Sequence, residues 1–301
     1  MNLQYIRYAL EISRTGSISK AAENLSVAQP NLSRAVKELE TQLGISIFER
    51  TRTGMSVTPE GERLLATGER ILREVADMET MFDEEKEPLR ILSVIAPPSA
   101  YLSHAFMSFC TALPTRDRFA IAYREAASGA VIDGVVSGQY KLGILRIPAH
   151  FERYYTDKLN ARELKWETVA EFSPVAVAGL GSSLAGCERV THGDLSALCE
   201  LVCPASLRGD SDDTAASPRV EITATERAVL YELLVNDPSF FLYDAPMPAF
   251  VAAKHGLLQR PVADATPYLD LLITQRSYRL TPTDEAYLRA LRGTVHAVNG
   301  G

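Results

Sequence analysis

Histidine, cysteine and tryptophan are scarce here, at five, four and one in 301 residues. The histidines, His104, His150, His192, His255 and His296, are scattered, and none stands at metal-ligand spacing from a cysteine. There is no Gly-x-Ser-x-Gly, no phosphate loop and no paired metal motif, so the usual sequence signs of a hydrolase, a nucleotide-binding enzyme or a metalloenzyme are missing. The expectation is a chain that is not an enzyme and has neither cofactor nor metal. Cys110, Cys187, Cys199 and Cys203 form no C-x-x-C pair. They read as buried thiols that pack like small hydrophobes. Cys199 and Cys203 can share a helix face, which makes no zinc site, and a redox role for Cys187, Cys199 and Cys203 is the alternative. No apolar run reaches the roughly 18 residues of a membrane span. The N-terminal MNLQYIRYALEISRTG interrupts its apolar positions with charge and has no signal-peptide core. A cytoplasmic protein without membrane contact is expected.

What is present is uneven. Net charge is −7. Residues 1–58 nevertheless hold seven basic against five acidic side chains, a balance of +2, which leaves −9 for the rest. A mildly basic head on an acidic body suits a protein that touches nucleic acid at one end. Within that head, Ser17–Gly44 reads as two helices joined by a tight turn. Ser17 caps the first, and Ala21, Ala22 and Leu25 form its apolar face. Ser26 and Gln29 are spaced as a capping box for the second. That second helix runs from about Gln29 to Leu43 and stops at Gly44. Leu32, Ala35, Val36, Leu39 and Leu43 make its buried stripe. Gln29, Pro30, Ser33, Arg34 and Lys37 occupy another face, with no carboxylate before Glu38. Amide, hydroxyl and guanidinium groups match the edges of bases and phosphates in a major groove. An earlier helix from Leu3 to near Gly16 packs beneath the pair. Ile45–Val57 alternates apolar and polar residues around Thr51-Arg52-Thr53-Gly54, a small hairpin or wing with Arg50 and Arg52 at its tip. Thr58 caps a further helix, with Pro59 in its first turn, reaching about Glu87. Gly61, Leu64, Gly68, Ile71, Val75, Met78 and Phe82 give it a heptad seam that a second copy can cover.

In this order and spacing, the motifs GSISKAA, LSVAQPNLSR, LE followed by LG, IFER and TPEG resemble the N-terminal part of a LysR-type transcriptional regulator. Ala28 departs from the serine common in that family before Gln-Pro. The resemblance implies double-stranded DNA as a partner. It places Gln29, Pro30, Ser33, Arg34 and Lys37 in the groove, with Arg50, Arg52 and Thr53 on the wing. It further implies a dimerising linker helix, hence a homodimer or homotetramer.

From Leu89 onward strands alternate with helices, which predicts a largely parallel α/β sheet. Strands are expected at 90–95, 119–124, 142–145, 168–179, 221–223, 240–243 and 269–275. Helices are expected after Ser99, over 129–137, 194–201 and 225–235, and at 283–291. This half resembles the family's effector domain, of periplasmic-binding-protein type, although Lys141 stands where the family usually has aspartate. The fold class is therefore α/β overall: an N-terminal winged helix-turn-helix (1–58), a long linker helix (59–87) and a C-terminal two-lobed effector domain (88–301). That architecture implies two crossings between lobes, expected near Trp166 and Thr266. Lobe one is then 89–165 with 267–301, and lobe two 166–266.

Ligands of open α/β sheets bind beyond the carboxyl ends of strands, often at helix N-termini. This selects Ser99, Ala100, Tyr101, Ser128, Gly129, Ala205, Ser206, Thr225 and Asp244, with Arg146 within reach. Hydroxyls and free amides suit a small-molecule effector such as a carboxylate. Asp244 instead suits a hydroxyl or amine.

Overall fold

The computed structural model describes residues 2–51, 54–80, 89–205, 207 and 221–299. The chain divides into two compact units, Met1–Leu89 and Arg90–Gly301.

The first unit contains α1 (Leu3–Thr15), α2 (Ile18–Asn24), α3 (Gln29–Leu43), β1 (Phe48–Thr51), β2 (Gly54–Val57) and α4 (Pro59–Thr80). Left-handed glycines, Gly16 and Gly44, end α1 and α3. Ser17 accepts from the Lys20 amide and caps α2. The expected Ser26–Gln29 capping box is not formed: α3 starts at Ala28 with no side-chain cap. Ser26 instead adopts φ 54° and closes α2. Its amide donates to the Glu23 carbonyl and the Val27 amide to the Ala22 carbonyl. This is a Schellman stop, in which a left-handed residue satisfies the last carbonyls of the preceding helix. The tight turn therefore comes from how α2 ends, and Pro30 opens α3 in its first turn, where a missing N–H leaves no bond unmade.

Ile6, Ala9, Ile12, Ala21, Ala22, Leu32, Val36, Leu39, Ile47 and Leu65 form one core. Leu43, expected in the buried stripe, is exposed on the last turn of α3. β1 and β2 pair antiparallel, Phe48 opposite Val57 and Thr51 opposite Gly54, so the wing is present. Glu40 of α3 accepts from the Ile47 and Phe48 amides and ties the wing to the helix. Thr58 caps α4 through the Gly61 amide and also donates to the Ser46 carbonyl. Gly61 sits where a Cβ would lie 2.3 Å from the Ile47 carbonyl oxygen. Gly61→Ala is expected to destabilise the unit by about 1–3 kcal/mol, an overpacking cost against backbone, read as a lower urea midpoint. The heptad seam is only partly outward. Its glycine end is buried in its own unit, with Gly68 against Ile6, whereas Met78 is exposed. Phe82 and the continuation to Glu87 lie outside the described residues.

The second unit contains β3 (Arg90–Ala96), α5 (Ala100–Thr111), β4 (Phe119–Glu125), α6 (Ser128–Val136), β5 (Leu142–Pro148), α7 (Glu152–Ala161), β6 (Leu164–Phe172) and β7 (Val175–Gly179). It continues with α8 (His192–Leu195), β8 (Cys199–Val202), β9 (Glu221–Thr223), α9 (Arg227–Asn236), β10 (Phe240–Asp244), α10 (Ala249–Lys254), β11 (Leu257–Pro261), β12 (Tyr268–Gln275) and α11 (Pro282–Asn299). Two five-stranded sheets result, ordered β4-β3-β5-β12-β6 and β11-β7-β10-β8-β9. They are mixed, not largely parallel. β12 runs antiparallel to both β5 and β6, and β7 antiparallel to both β10 and β11.

The first crossing is also displaced. The segment 168–179, expected as one strand, is two strands in different sheets, broken at Ser173-Pro174. β6 therefore belongs to lobe one, and Trp166 lies inside it. The chain passes between the sheets again in the segment joining β11 to β12, which contains Thr266. The segment 194–201, expected as helix, ends α8 at Leu195 and enters strand β8 at Cys199. Cys199 and Cys203 therefore share no helix face. Among the described residues no helix is long and apolar enough to cross a membrane.

Candidate functional site

In the first unit, α3 presents Gln29, Pro30, Ser33, Arg34 and Lys37 to solvent along one exposed face. Its opposite face buries Leu32, Ala35, Val36 and Leu39, so the helix cannot turn that surface inward. The side chains of Ser33, Arg34 and Lys37 have no hydrogen-bond or ion-pair partner among the described residues. Glu38, the first carboxylate on the helix, is held by the Tyr5 hydroxyl and the Gln42 amide, at 3.3 and 3.2 Å. A row of free donors with its neighbouring acid engaged elsewhere is chemically suited to base edges and phosphate oxygens. Arg50 lies in β1, the strand that leads to the hairpin turn. Arg52 and Thr53 lie outside the described residues.

In the second unit, the site is a buried polar cluster between the two sheets. Asp270 on β12 accepts from Arg146 on β5 at two points, Nε at 2.8 Å and Nη2 at 2.7 Å. The Tyr101 hydroxyl donates to the same carboxylate. Arg146 also lies over the Phe172 ring, 4.9 Å from its centroid. Burial works against the charge on Arg146, and Asp270 beside it more than offsets this, raising the guanidinium pKa. Burial, then the Asp270 charge, pushes the Tyr101 phenol well above its usual range. Across from this triad, Asp244 ends β10 and is 3% exposed. It accepts from the Ala245 amide at 2.7 Å. Burial raises its carboxyl, against the opposing pull of Arg227, Arg146 and the Ala245 and Ala100 amides. Arg227 of α9 reaches over to lobe one, donating to Ser103 at 3.2 Å and Glu125 at 3.1 Å. Pro98, Cys203, Arg227, Tyr231, Tyr243 and Asp244 line a pocket beside these groups.

Against this geometry stand three similarities to known proteins. The family description "Bacterial regulatory helix-turn-helix protein, lysR family" matches residues 3–62. Residues 3–62 thus carry the helix-turn-helix domain of that family. Among curated relatives, the uncharacterized HTH-type transcriptional regulator YcgK of Bacillus subtilis is 30% identical over 160 residues, covering 51% of this chain and 48% of that one. YofA of Bacillus velezensis is 38% identical over 106 residues, 34% of this chain and 37% of that one. The matched stretch thus spans less than half the length of either relative. The fold extends further: full-length CbnR, solved with its target DNA, superimposes with TM-score 0.62 at 17% identity, covering 98% of this chain and all of that one.

The second unit brings together some of the expected effector residues and leaves others apart. Ser99, Ala100, Tyr101, Arg146 and Asp244 converge on the cluster. Ser128 donates to the backbone carbonyl of Arg146 at 2.9 Å, and exposed Gly129 follows it in the first turn of α6. Thr225 is exposed ahead of α9, Ala205 is half-buried after β8, and Ser206 lies outside the described residues. Sequence reading missed Arg227, Glu125 and Asp270. A basic residue opening α9, two positions after Thr225, was the available sign for Arg227. Asp270 sits inside an apolar strand run, and its pairing with Arg146 across 124 positions leaves no local trace.

Proposed function

We propose that this chain is a DNA-binding transcriptional regulator that reads operator DNA with α3 and responds to a small effector held between the two sheets of its second unit. The observation that carries this reading is the row of exposed, unpartnered Ser33, Arg34 and Lys37 beside Gln29 and Pro30. CbnR, whose fold this chain shares, was solved on its target DNA. Arg50, Arg52 and Thr53 complete the contact from the wing, where a basic tip meets phosphate or the minor groove. The outward part of α4, with Met78 exposed and Ile71 and Val75 half-buried, is the surface for a second copy. A two-fold dimer would match a two-fold operator.

Ser99, Ala100, Tyr101, Ser128, Gly129, Arg146, Thr225 and Asp244, with Ala205 and Ser206, frame the effector region, centred on the buried cluster. Binding there favours one arrangement of the lobes over another. A thiol switch is the less favoured reading. Burial raises the thiols of Cys110 and Cys203, which keeps them in the less reactive protonated form.

The test is a binding titration of the full chain on the duplex upstream of its own gene, and on a randomised duplex pool, across a salt series. Affinity is expected to fall linearly on log–log axes as salt rises. Lys37→Ala is expected to weaken all sequences alike and to reduce that slope by about one. Absence of salt-dependent binding to any duplex in the pool would rule the reading out.

A further inference from the structure

The interior cleft has a feature that decides the chemistry of its ligand. The N-terminus of α5 suits an anion: the first amides of a helix have no partner within it, and its dipole favours negative charge. Ser99 at that terminus makes no side-chain cap, and its Oγ is fully buried without a hydrogen-bond partner. The Nη1 of buried Arg146 also has none. Such groups ordinarily wait for an acceptor, because a buried donor left unpaired is costly.

The protein's own carboxylate at this terminus satisfies neither of them. Asp244, from the other lobe, takes the Ala100 amide at the start of α5 as well as its own neighbour Ala245, with Arg227 and Arg146 nearby. A carboxylate therefore already stands at the α5 terminus, carried on β10. A second carboxylate brought by a ligand would meet like charge in a site of low dielectric.

We infer that the effector presents a hydrogen-bond donor, an ammonium or a hydroxyl group, toward Asp244, and that Asp244 excludes free carboxylates by occupying their place. This rests on the reading of the cleft as an effector site. The neighbouring cations do not reverse the sign, because Arg146 is matched by Asp270 and Arg227 by Glu125. Arg227 and Arg146 also act on Asp244, and three carboxylates against two guanidinium groups leave the set with one net negative charge.

The experiment uses chemical replacement in the full chain. Asp244→Ala removes the tethered carboxylate and leaves space for a small free one. Its thermal midpoint is expected to fall by about 2–4 °C. Millimolar acetate is expected to recover at least half of that loss saturably, while chloride at equal ionic strength does not. Wild type is expected to show no response to acetate. Asp244→Asn keeps the shape without the charge, and it is expected to lose stability without gaining the acetate response. Should the alanine variant not fold, Asp244→Ser is compared in the same way. Equal stabilisation of wild type and variant by acetate, or no recovery in the variant, overturns the inference.

A second arm screens wild type against primary amines, polyols and free mono- and dicarboxylates. Stabilisation by compounds of the first two classes supports the inference, and stabilisation by carboxylates that persists in Asp244→Ala opposes it. If acetate rescues the variant but no compound of any class alters wild-type stability or DNA affinity, the effector reading of the cleft fails while the placement of Asp244 stands.

Discussion

Asp270→Ala is expected to destabilise the second unit by about 3–5 kcal/mol, the cost of stranding a buried charge when its partner is removed. Three bonds end on this carboxylate: two from Arg146 and one from Tyr101. Both partners are buried, and Arg146 is only 6% exposed, so water cannot substitute readily. The loss would be a large share of a typical domain stability of about 5–15 kcal/mol. Urea unfolding followed by circular dichroism measures it. Tyr101→Phe removes one hydrogen bond and is expected to cost only about 1 kcal/mol. The decisive comparison is Arg146→Met with Asp270→Leu, which removes both charges together. It is expected to recover much of the single-variant loss, because a buried pair is expensive to break and not to replace. A single-variant cost below about 1 kcal/mol would show that the pair is hydrated or rearranges freely.

The second large effect concerns α3. Ser33→Ala combined with Arg34→Ala is expected to lower specific DNA affinity at least about tenfold, since a good bidentate base contact discriminates by about 1–3 kcal/mol. Binding to unrelated duplex is expected to change less, because phosphate contacts supply most of it. Both residues are exposed, and α3's core side chains are untouched, so the unfolding transition should be unchanged. Fluorescence anisotropy on specific and unrelated duplexes, at one salt concentration, separates the two terms. Equal affinity of wild type and variant for the specific duplex would remove α3 as the reading element.

Most of the first unit was legible because its signals are local. Gly16 and Gly44 stop helices through their backbone freedom, and Thr58-Pro59 opens one through capping. The Ser26 error shows the limit of that logic. Serine followed three residues later by glutamine has the spacing of a helix start, yet a serine in left-handed backbone also ends a helix. The choice depends on bonds back to Ala22 and Glu23. In the second unit the alternation of elements was legible, but sheet membership was not. An apolar run from Thr168 to Gly179 looks the same whether it stays in one sheet or changes sheets. Pro174 was the available mark, since proline is excluded from the middle of a strand. The segments of α7 and β11 carry weak periodicity and were not assigned. The effector residues were found where a backbone rule points to them, as at Ser99 and Asp244. Those that depend on remote partners, Asp270 and Glu125, were not found.

The place of β12 in its sheet bears on how the chain is made. It lies between β5 and β6, yet it is synthesised after every strand of the other sheet. A nascent chain emerging from the ribosome can complete lobe two while β6 still lacks the neighbour that joins it to β5. Lobe one thus waits for its middle strand with two edges open, and such edges invite pairing with other chains. Closing the gap requires a contact between positions 148 and 268, distant along the chain, which slows folding. Translation arrested before Tyr268 would release a polypeptide with one finished lobe and one unsealed sheet, a form suited to chaperone capture or degradation.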